Sequence, residues 1–357
     1  MATTYDFYSA VFRRVSTKER SFASRQLAVM LESGLPISQA VRSLTEQTSN
    51  PTLQAVMSQI LTDLENGYKF SDAIKKHPKV FNGVYTSVIA AGEATGKLDV
   101  TMNLMADEQE RDLGFTRRII GALLYPAFIV AAMIVVGIVM VTKIVPALEQ
   151  VFTESNAVLP WTTRTVVAIT NSLINYWWVY IGVIAVLVFL VARYLASNEG
   201  RRSFNAVLLK VPVFGTLIRN LEMARFTRIL GMMMQAGVPI IQAIDSVSQV
   251  MENELYKEAL AQVARNVERG APISQSLVRD KMFPTIVTQM VAVGEQTGRL
   301  EAVLQKLASY YEEETNQSIK NITALVEPVV FVIVGLGVAF LVFSIIVPIY
   351  GIANIIN

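Results

Sequence analysis

Gly92-Glu93-Ala94-Thr95-Gly96-Lys97-Leu98 is the stretch of this chain whose residue types come nearest to doing chemistry. Glycines beside a lysine can wrap a phosphate in backbone amides, provided that four residues separate Gly from Gly-Lys and that a Ser or Thr follows to reach magnesium. Here the spacing is one residue short, Leu98 stands where the hydroxyl is needed, and no strand precedes the glycines. The stretch returns as Gly294-Glu295-Gln296-Thr297-Gly298-Arg299-Leu300, again without the hydroxyl. A helix junction is the better reading. Gly92 and Gly96 would end one helix and open the next, with Glu93 satisfying free amides at that helix start.

The other reactive side chains are isolated. His77 is the only histidine, in His77-Pro78-Lys79. No Ser, Cys or carboxylate pattern supports a triad around it, and a metal would need more ligands, so it reads as a solvated loop residue. Glu312-Glu313-Glu314 point in different directions on a helix, which favours a solvated face over a metal site. The chain has no cysteine, which excludes disulfides, thiol catalysis and zinc-cysteine sites. No catalytic residue and no cofactor is expected.

Glu327, directly before Pro328, is more informative because it stands at the threshold of an apolar run, where the first copy has Tyr125 before Pro126. A carboxylate near hydrocarbon faces protein, water or a cation, or snorkels to the interface, and both readings stand. The two prolines would bend their helices at matching depth.

The elements that would hold these residues come in two copies about 202 residues apart. Besides the junction motif, Gly34-Leu35-Pro36 returns as Gly237-Val238-Pro239, and Ile144-Val145-Pro146 as Ile346-Val347-Pro348. Apolar residues recur at helical spacing, as in Leu53, Val56, Met57, Ile60, Leu61 and Leu64. Gly34, Gly67, Gly237 and Gly270 sit where helices should stop, and Ser71 and Ser274 where the next can be capped. Each copy thus reads as about six short helices, the last of which continues toward a membrane span. Arg25 and Arg228 share a position on the first helix of each copy, whereas Arg225 has Phe22 as its counterpart, so the two shared arginines are candidates for partner or interhelical contacts, with structural salt bridges the preferred reading.

Hydrophobic residues make up 52% of the chain and its mean hydropathy is +0.42, which places part of it in lipid. Uncharged runs at Ile119 to Thr142, Ile174 to Ala192 and Val329 to Ile349 are long enough to cross a bilayer. The expected fold is therefore an all-α integral membrane protein with two repeated cytoplasmic six-helix bundles and three transmembrane helices. Its expected parts are an N-terminal segment 1–20, bundle 21–117, span 118–146, a short periplasmic segment 147–173, span 174–195, a linker and second bundle 196–325, span 326–350 and a periplasmic end 351–357. The middle span returns the chain so that both bundles face one compartment. Segment 1–20 admits two readings, an amphipathic helix on the membrane surface or a piece docked on its own bundle.

Arg111, Arg117 and Arg118 precede the first span, and Arg193, Arg201, Arg202, Lys210 and Arg219 follow the second, which puts the N-terminus in the cytoplasm. Trp161, Trp177, Trp178 and Tyr180 fit an aromatic belt on the opposite face. No cleavable signal is expected, because the first apolar run begins more than a hundred residues into the chain. The net charge of +2 gives no support to nucleic-acid binding.

The paired Gly-x-Pro and Gly-Glu-x-x-Gly-x-Leu elements, Pro212-Val213-Phe214-Gly215, Ala224-Arg225-Phe226, Leu159-Pro160-Trp161-Thr162-Thr163 and Glu327-Pro328 resemble the inner-membrane platform family of type II secretion and type IV pilus systems (GspF/PilC-like). The likeness runs over residues 20 to 350, and the chain is similar to short members without the usual N-terminal extension. The resemblance implies a bacterial inner-membrane protein, not an enzyme, that links a cytoplasmic hexameric assembly ATPase to pilin or pseudopilin in the membrane beside other inner-membrane assembly proteins. It also implies a homo-oligomer in the lipid bilayer. The residue-based alternative is an oligomeric transporter or channel built from a repeated unit, which the apolar centres of the spans disfavour.

Overall fold

The structure, a computed structural model, describes residues 15–139, 161–212 and 214–356, together with isolated positions between 142 and 150. The expectations for residues 1–14 and for most of 140–160 lie outside the described residues. Within the described helices the side chains of Pro126 and Glu327, and those from residue 340 onward, also lie outside.

The described secondary structure is helical throughout. Helix α1 is Thr17–Glu32, α2 Ile37–Gln47, α3 Pro51–Glu65, α4 Phe70–Lys75, α5 Gly83–Thr95 and α6 Leu98–Val139. After α7 (Trp161–Ala196) and α8 (Asn198–Lys210) the pattern returns as α9 Phe214–Gln235, α10 Ile240–Val250, α11 Glu254–Glu268, α12 Ile273–Val278, α13 Thr285–Thr297 and α14 Leu300–Ile356. The pairs α2 and α10, α3 and α11, α4 and α12, and α5 and α13 have equal lengths of 11, 15, 6 and 13 residues.

Local chemistry explains the boundaries. Ser16 and Glu19 form a reciprocal capping box at the start of α1, so Thr17 to Arg20 already belong to that helix. Asn50 and Asn253 cap α3 and α11 through their side chains. Pro36 and Pro239 occupy the N-caps of α2 and α10, where their missing amide costs nothing. At Ser71 the structure corrects the sequence reading. Helix α4 begins at Phe70 with Lys69 at its N-cap, and Ser71 is its second residue rather than a cap for Asp72.

By contacts the chain divides into two units, residues 1–118 with 205–317, and residues 119–204 with 318–357. In the first, one apolar core gathers residues from both sequence copies, including Leu27, Ile60, Tyr85, Met102, Phe226 and Tyr256. The tilted and edge-to-face rings of Phe226, Phe283 and Tyr256 anchor the second copy's part of it.

The second unit holds apolar helical segments with exposed side chains, such as Phe128, Trp177, Leu187 and Phe331. Asn175–Ala196, 22 residues with mean hydropathy 2.3, is long and apolar enough to cross a membrane, as is the stretch Leu300–Leu336 of α14. The first expected span is described only as far as Val139, as the apolar segment Ala127–Val139. The pair Glu199–Lys210 and Phe214–Gln235 also has the length of a bent span, with 111° between its parts. Its chemistry excludes that role: the former carries Glu199, Arg201, Arg202 and Lys210, and the latter buries Asn220 and Glu222 in the first unit's core.

Candidate functional site

The repeated glycine motif builds a joint, and its parts act differently from the sequence reading. Gly96 and Gly298 end α5 and α13 with φ of 69° and 68°, a left-handed conformation in which a Cβ is strained. Gly92 lies inside α5, not at its end. A Cβ placed there would lie 2.0 Å from Thr101 Oγ1 and 2.8 Å from Thr101 Cβ, so rotating the threonine cannot make room. At Gly294 the nearest atom is Leu300 Cα at 3.0 Å. Gly92→Ala is therefore expected to cost about 1–3 kcal/mol and Gly294→Ala less, which urea unfolding of the two variants would measure.

Glu93 does not serve the start of α6 as the sequence reading has it. Its carboxylate reaches back to α4, where it accepts the Phe70 and Ser71 amides at 2.7 and 3.0 Å and the Ser71 hydroxyl at 2.6 Å. Glu295 repeats this at α12, accepting the amides of Ile273 at 2.6 Å and Ser274 at 3.0 Å and the Ser274 hydroxyl. A helix of six residues with a charged acceptor at its exposed amides is thereby tied to α5 or α13.

Arg25 and Arg228 each reach the long helix of their own sequence copy. Arg25 donates to Glu110 at 2.7 Å, to Asp107 and to Asn103, and these carboxylates hold its guanidinium above the usual pKa. Arg228 donates to Glu312, the counterpart of Glu110, at 3.0 Å. It also crosses to the first copy, where Glu108 and Asp112 of α6 accept at 2.8 and 3.2 Å. Glu108 is buried, and burial pushes its carboxyl above the ordinary value despite the arginine. Around Arg228 lies an open cavity of about 500 Å³ that Arg111, Arg118, Arg225, Asp107 and Glu110 also line. Arg118 donates to Asn316 at 3.0 Å, a second tie between α6 and α14. Among the acidic run, Glu312 is thus occupied by Arg228, while Glu313 and Glu314 are exposed.

Glu222 escaped the sequence reading. It is buried, one carboxylate oxygen accepts the Asn253 amide at 3.0 Å, and the other has no partner among the described residues. Burial raises its pKa from 4.5 to about 7, against the opposing charge of Arg225. The available signal was its counterpart, Glu19, which accepts from Asn50 Nδ2 at 2.9 Å where Asn253 stands in the second copy. Folded Glu222 holds a proton between pH 4.5 and about 7 that the unfolded chain has lost, so stability falls as pH rises through this window. Glu222→Gln is expected to remove a slope worth up to about 3 kcal/mol, read as urea midpoints compared near pH 5 and pH 8.

His77 is half-buried rather than solvated. Burial lowers its pKa, and its Nε2 has no partner among the described residues. Tyr125 is exposed on α6, and Pro328 is exposed in helical backbone of α14. Pro126 and Glu327 lie in helical backbone, and their side chains fall outside the described ones.

A family profile described as Type II secretion system (T2SS), protein F, matches residues 23–146 and again 226–348, once over each sequence copy. The chain is similar to "Type IV pilus assembly protein PilC" of Myxococcus xanthus, with 33% identity over 97% of this chain and 83% of the relative. It is similar to the protein of the same name from Thermus thermophilus, with 33% identity over 96% of this chain and 84% of that one. "Type II secretion system protein F" of Aeromonas hydrophila is 29% identical over 97% of this chain and 90% of its own length.

Proposed function

Because the chain belongs to the type II secretion system protein F family, we propose that it is an inner-membrane platform protein of a type IV pilus or type II secretion machine. The observation that carries this is the profile's match to both copies, each including a long helix, α6 or α14, that begins among packed helices and continues into apolar sequence. On this reading the two sets of six helices, α1–α6 and α9–α14, are cytoplasmic bundles. The N-terminus is cytoplasmic and the C-terminus periplasmic, as the arginines flanking the spans favour. The bundles engage a cytoplasmic hexameric assembly ATPase, and the spans present pilin or pseudopilin to the growing fibre beside other inner-membrane assembly proteins. The chain works as a homo-oligomer and is not itself an enzyme. The energy comes from the ATPase, and α6 and α14 carry its motion toward the bilayer.

Glu327, Pro328, Tyr125 and Pro126 are the proposed contact points between spans or with the fibre subunit. A transporter built from the same repeat is not favoured, since the centres of the spans lack the polar groups that a solute would need. The test uses the full chain in lipid nanodiscs with the purified ATPase of the same system. The ATPase is expected to bind, and the chain alone to turn over no ATP and pass no solute. Solute flux through liposomes holding the chain alone, or an ATPase that does not bind, would overturn the reading.

A further inference from the structure

The two sequence copies are joined inside the first unit by a contact that uses different faces on its two sides. On the first copy, α5 packs against α9 and α10. Val84, 3% exposed, Ser87 and Val88 form one face of α5 at helical spacing, and Ser87 Oγ lies 3.4 Å from Ser246 Oγ on α10. On the second copy, Ile229 of α9 lines a small cavity with Val84 and with Met105 of α6, and Met232 is 8% exposed. Arg228 completes the joint by reaching Glu108 and Asp112.

Each face has open apolar counterparts, although Met290, at the position of Val88, packs against the core and Gln26 replaces Ile229. Ile286 and Val293, at the positions of Val84 and Ala91, are 44% and 49% exposed on α13, which makes no equivalent joint to α1 or α2 among the described residues. Val29, at the position of Met232, is 51% exposed. The polar partners are also matched. Arg25 stands where Arg228 does, and Tyr310, 47% exposed, and the exposed Glu314 stand where Glu108 and Asp112 do. An arginine can meet a tyrosine face and a carboxylate as it meets two carboxylates. Apolar side chains therefore lie bare at both ends of a contact whose internal version is fully formed.

We propose that copies of this chain associate head to tail, with α13 and α14 of one copy seated on α1 and α2 of the next, repeating between chains the joint that unites the two halves within one chain. The occupant is a second copy because the contact already exists between the corresponding helices of a single chain. A contact between unlike faces leaves one of each kind free at the ends, so it closes into a ring or extends. This inference rests on the self-association proposed above and adds the faces that carry it.

The absence of cysteine makes engineered disulfides a clean test in native membranes. Ser87→Cys with Ser246→Cys in one full-length chain is expected to close within the chain and so shows that the fold is intact. Ser43→Cys with Gln289→Cys, the corresponding pair across the open faces, is expected to join chains into a ladder or a ring of fixed size. Each single variant alone is expected to give no crosslink, whereas the two single variants co-expressed give a band of two chains and nothing larger. Adding Val293→Glu is expected to abolish the crosslink between chains and leave the internal one. No crosslink from Ser43→Cys with Gln289→Cys while the internal pair closes overturns the inference, and so does a crosslinked dimer from either single variant. The mass of the detergent-solubilised wild-type chain separates the two proposals. An oligomer without the crosslink removes these faces and leaves self-association standing, and a monomer removes both.

Discussion

Arg228→Ala is expected to destabilise the first unit by about 3–5 kcal/mol, the range for removing one partner from a buried ion pair. The guanidinium donates to Glu108, Asp112 and Glu312 at 2.8, 3.2 and 3.0 Å, and it is mostly buried. Alanine would leave Glu108 buried without its cation, while Asp112 and Glu312 could turn to water. The comparison with Arg25 decides whether burial is the cause. Its carboxylate partners Asp107 and Glu110 are about half exposed, so Arg25→Ala should cost about 1 kcal/mol or less. Arg228→Lys should recover only part of the loss, because one ammonium cannot fork to three carboxylates. Arg228→Met with Glu108→Gln should recover most of it, since no buried charge then lacks a partner. Urea unfolding of the detergent-solubilised variants measures all four. Equal losses at Arg25 and Arg228 would show that the bridge between the two copies is no stronger than an ordinary surface pair.

Glu93→Ala carries the second large effect, about 2–4 kcal/mol, because hydrogen bonds to a charged acceptor contribute about 1.5–3 kcal/mol each before the freed groups find water. Three donors lose their acceptor at once, and two of them are amides at the start of a six-residue helix with no side-chain cap of its own. So short a helix has little intrinsic stability. The loss should be local. Hydrogen exchange is expected to speed up over α4 in Glu93→Ala and over α12 in Glu295→Ala, while the opposite copy keeps its protection. Gln in place of Glu93 should fall between, since the amide retains one acceptor oxygen and presents a donor to the second amide. Unchanged exchange over α4 would mean that packing of Phe70 and Ile74 alone holds the helix.

Much of the architecture was legible because the cues are local. Glycine after a run of helical spacing, proline or asparagine at the next start, and uncharged runs of span length each act within a few residues. The same locality explains the misreadings. In sequence Glu93 belongs to the nearest helix start, but its partners lie 22 and 23 residues earlier, at a distance that periodicity does not register. Gly92 looks like Gly96 in sequence, and only the packing of Thr101 distinguishes a close approach from a left-handed turn. The hydroxyl of Ser71 suits a helix cap, yet it donates to Glu93 instead.

The arginines show a different limit. Arg25 and Arg228 were legible as equivalent positions, and their pairing with Glu110 and Glu312 follows the repeat. The extra partners of Arg228 come from the other copy, which an internal alignment cannot reveal. The signal lay in the difference between copies, with Glu108 against Tyr310. Glu222 is hidden in the sequence for a related reason. An isolated glutamate in a helix reads as surface, and its burial depends on how α9 packs.

Deleting the chain from its own cell and counting surface fibres, or secreted substrate where the system secretes, tests the platform account most directly. The account predicts that assembly stops while the fibre subunit is still made and processed, and that the wild-type chain supplied in trans restores it. Normal assembly in the deletion strain, with the chain shown to be absent from the membrane, would contradict the account.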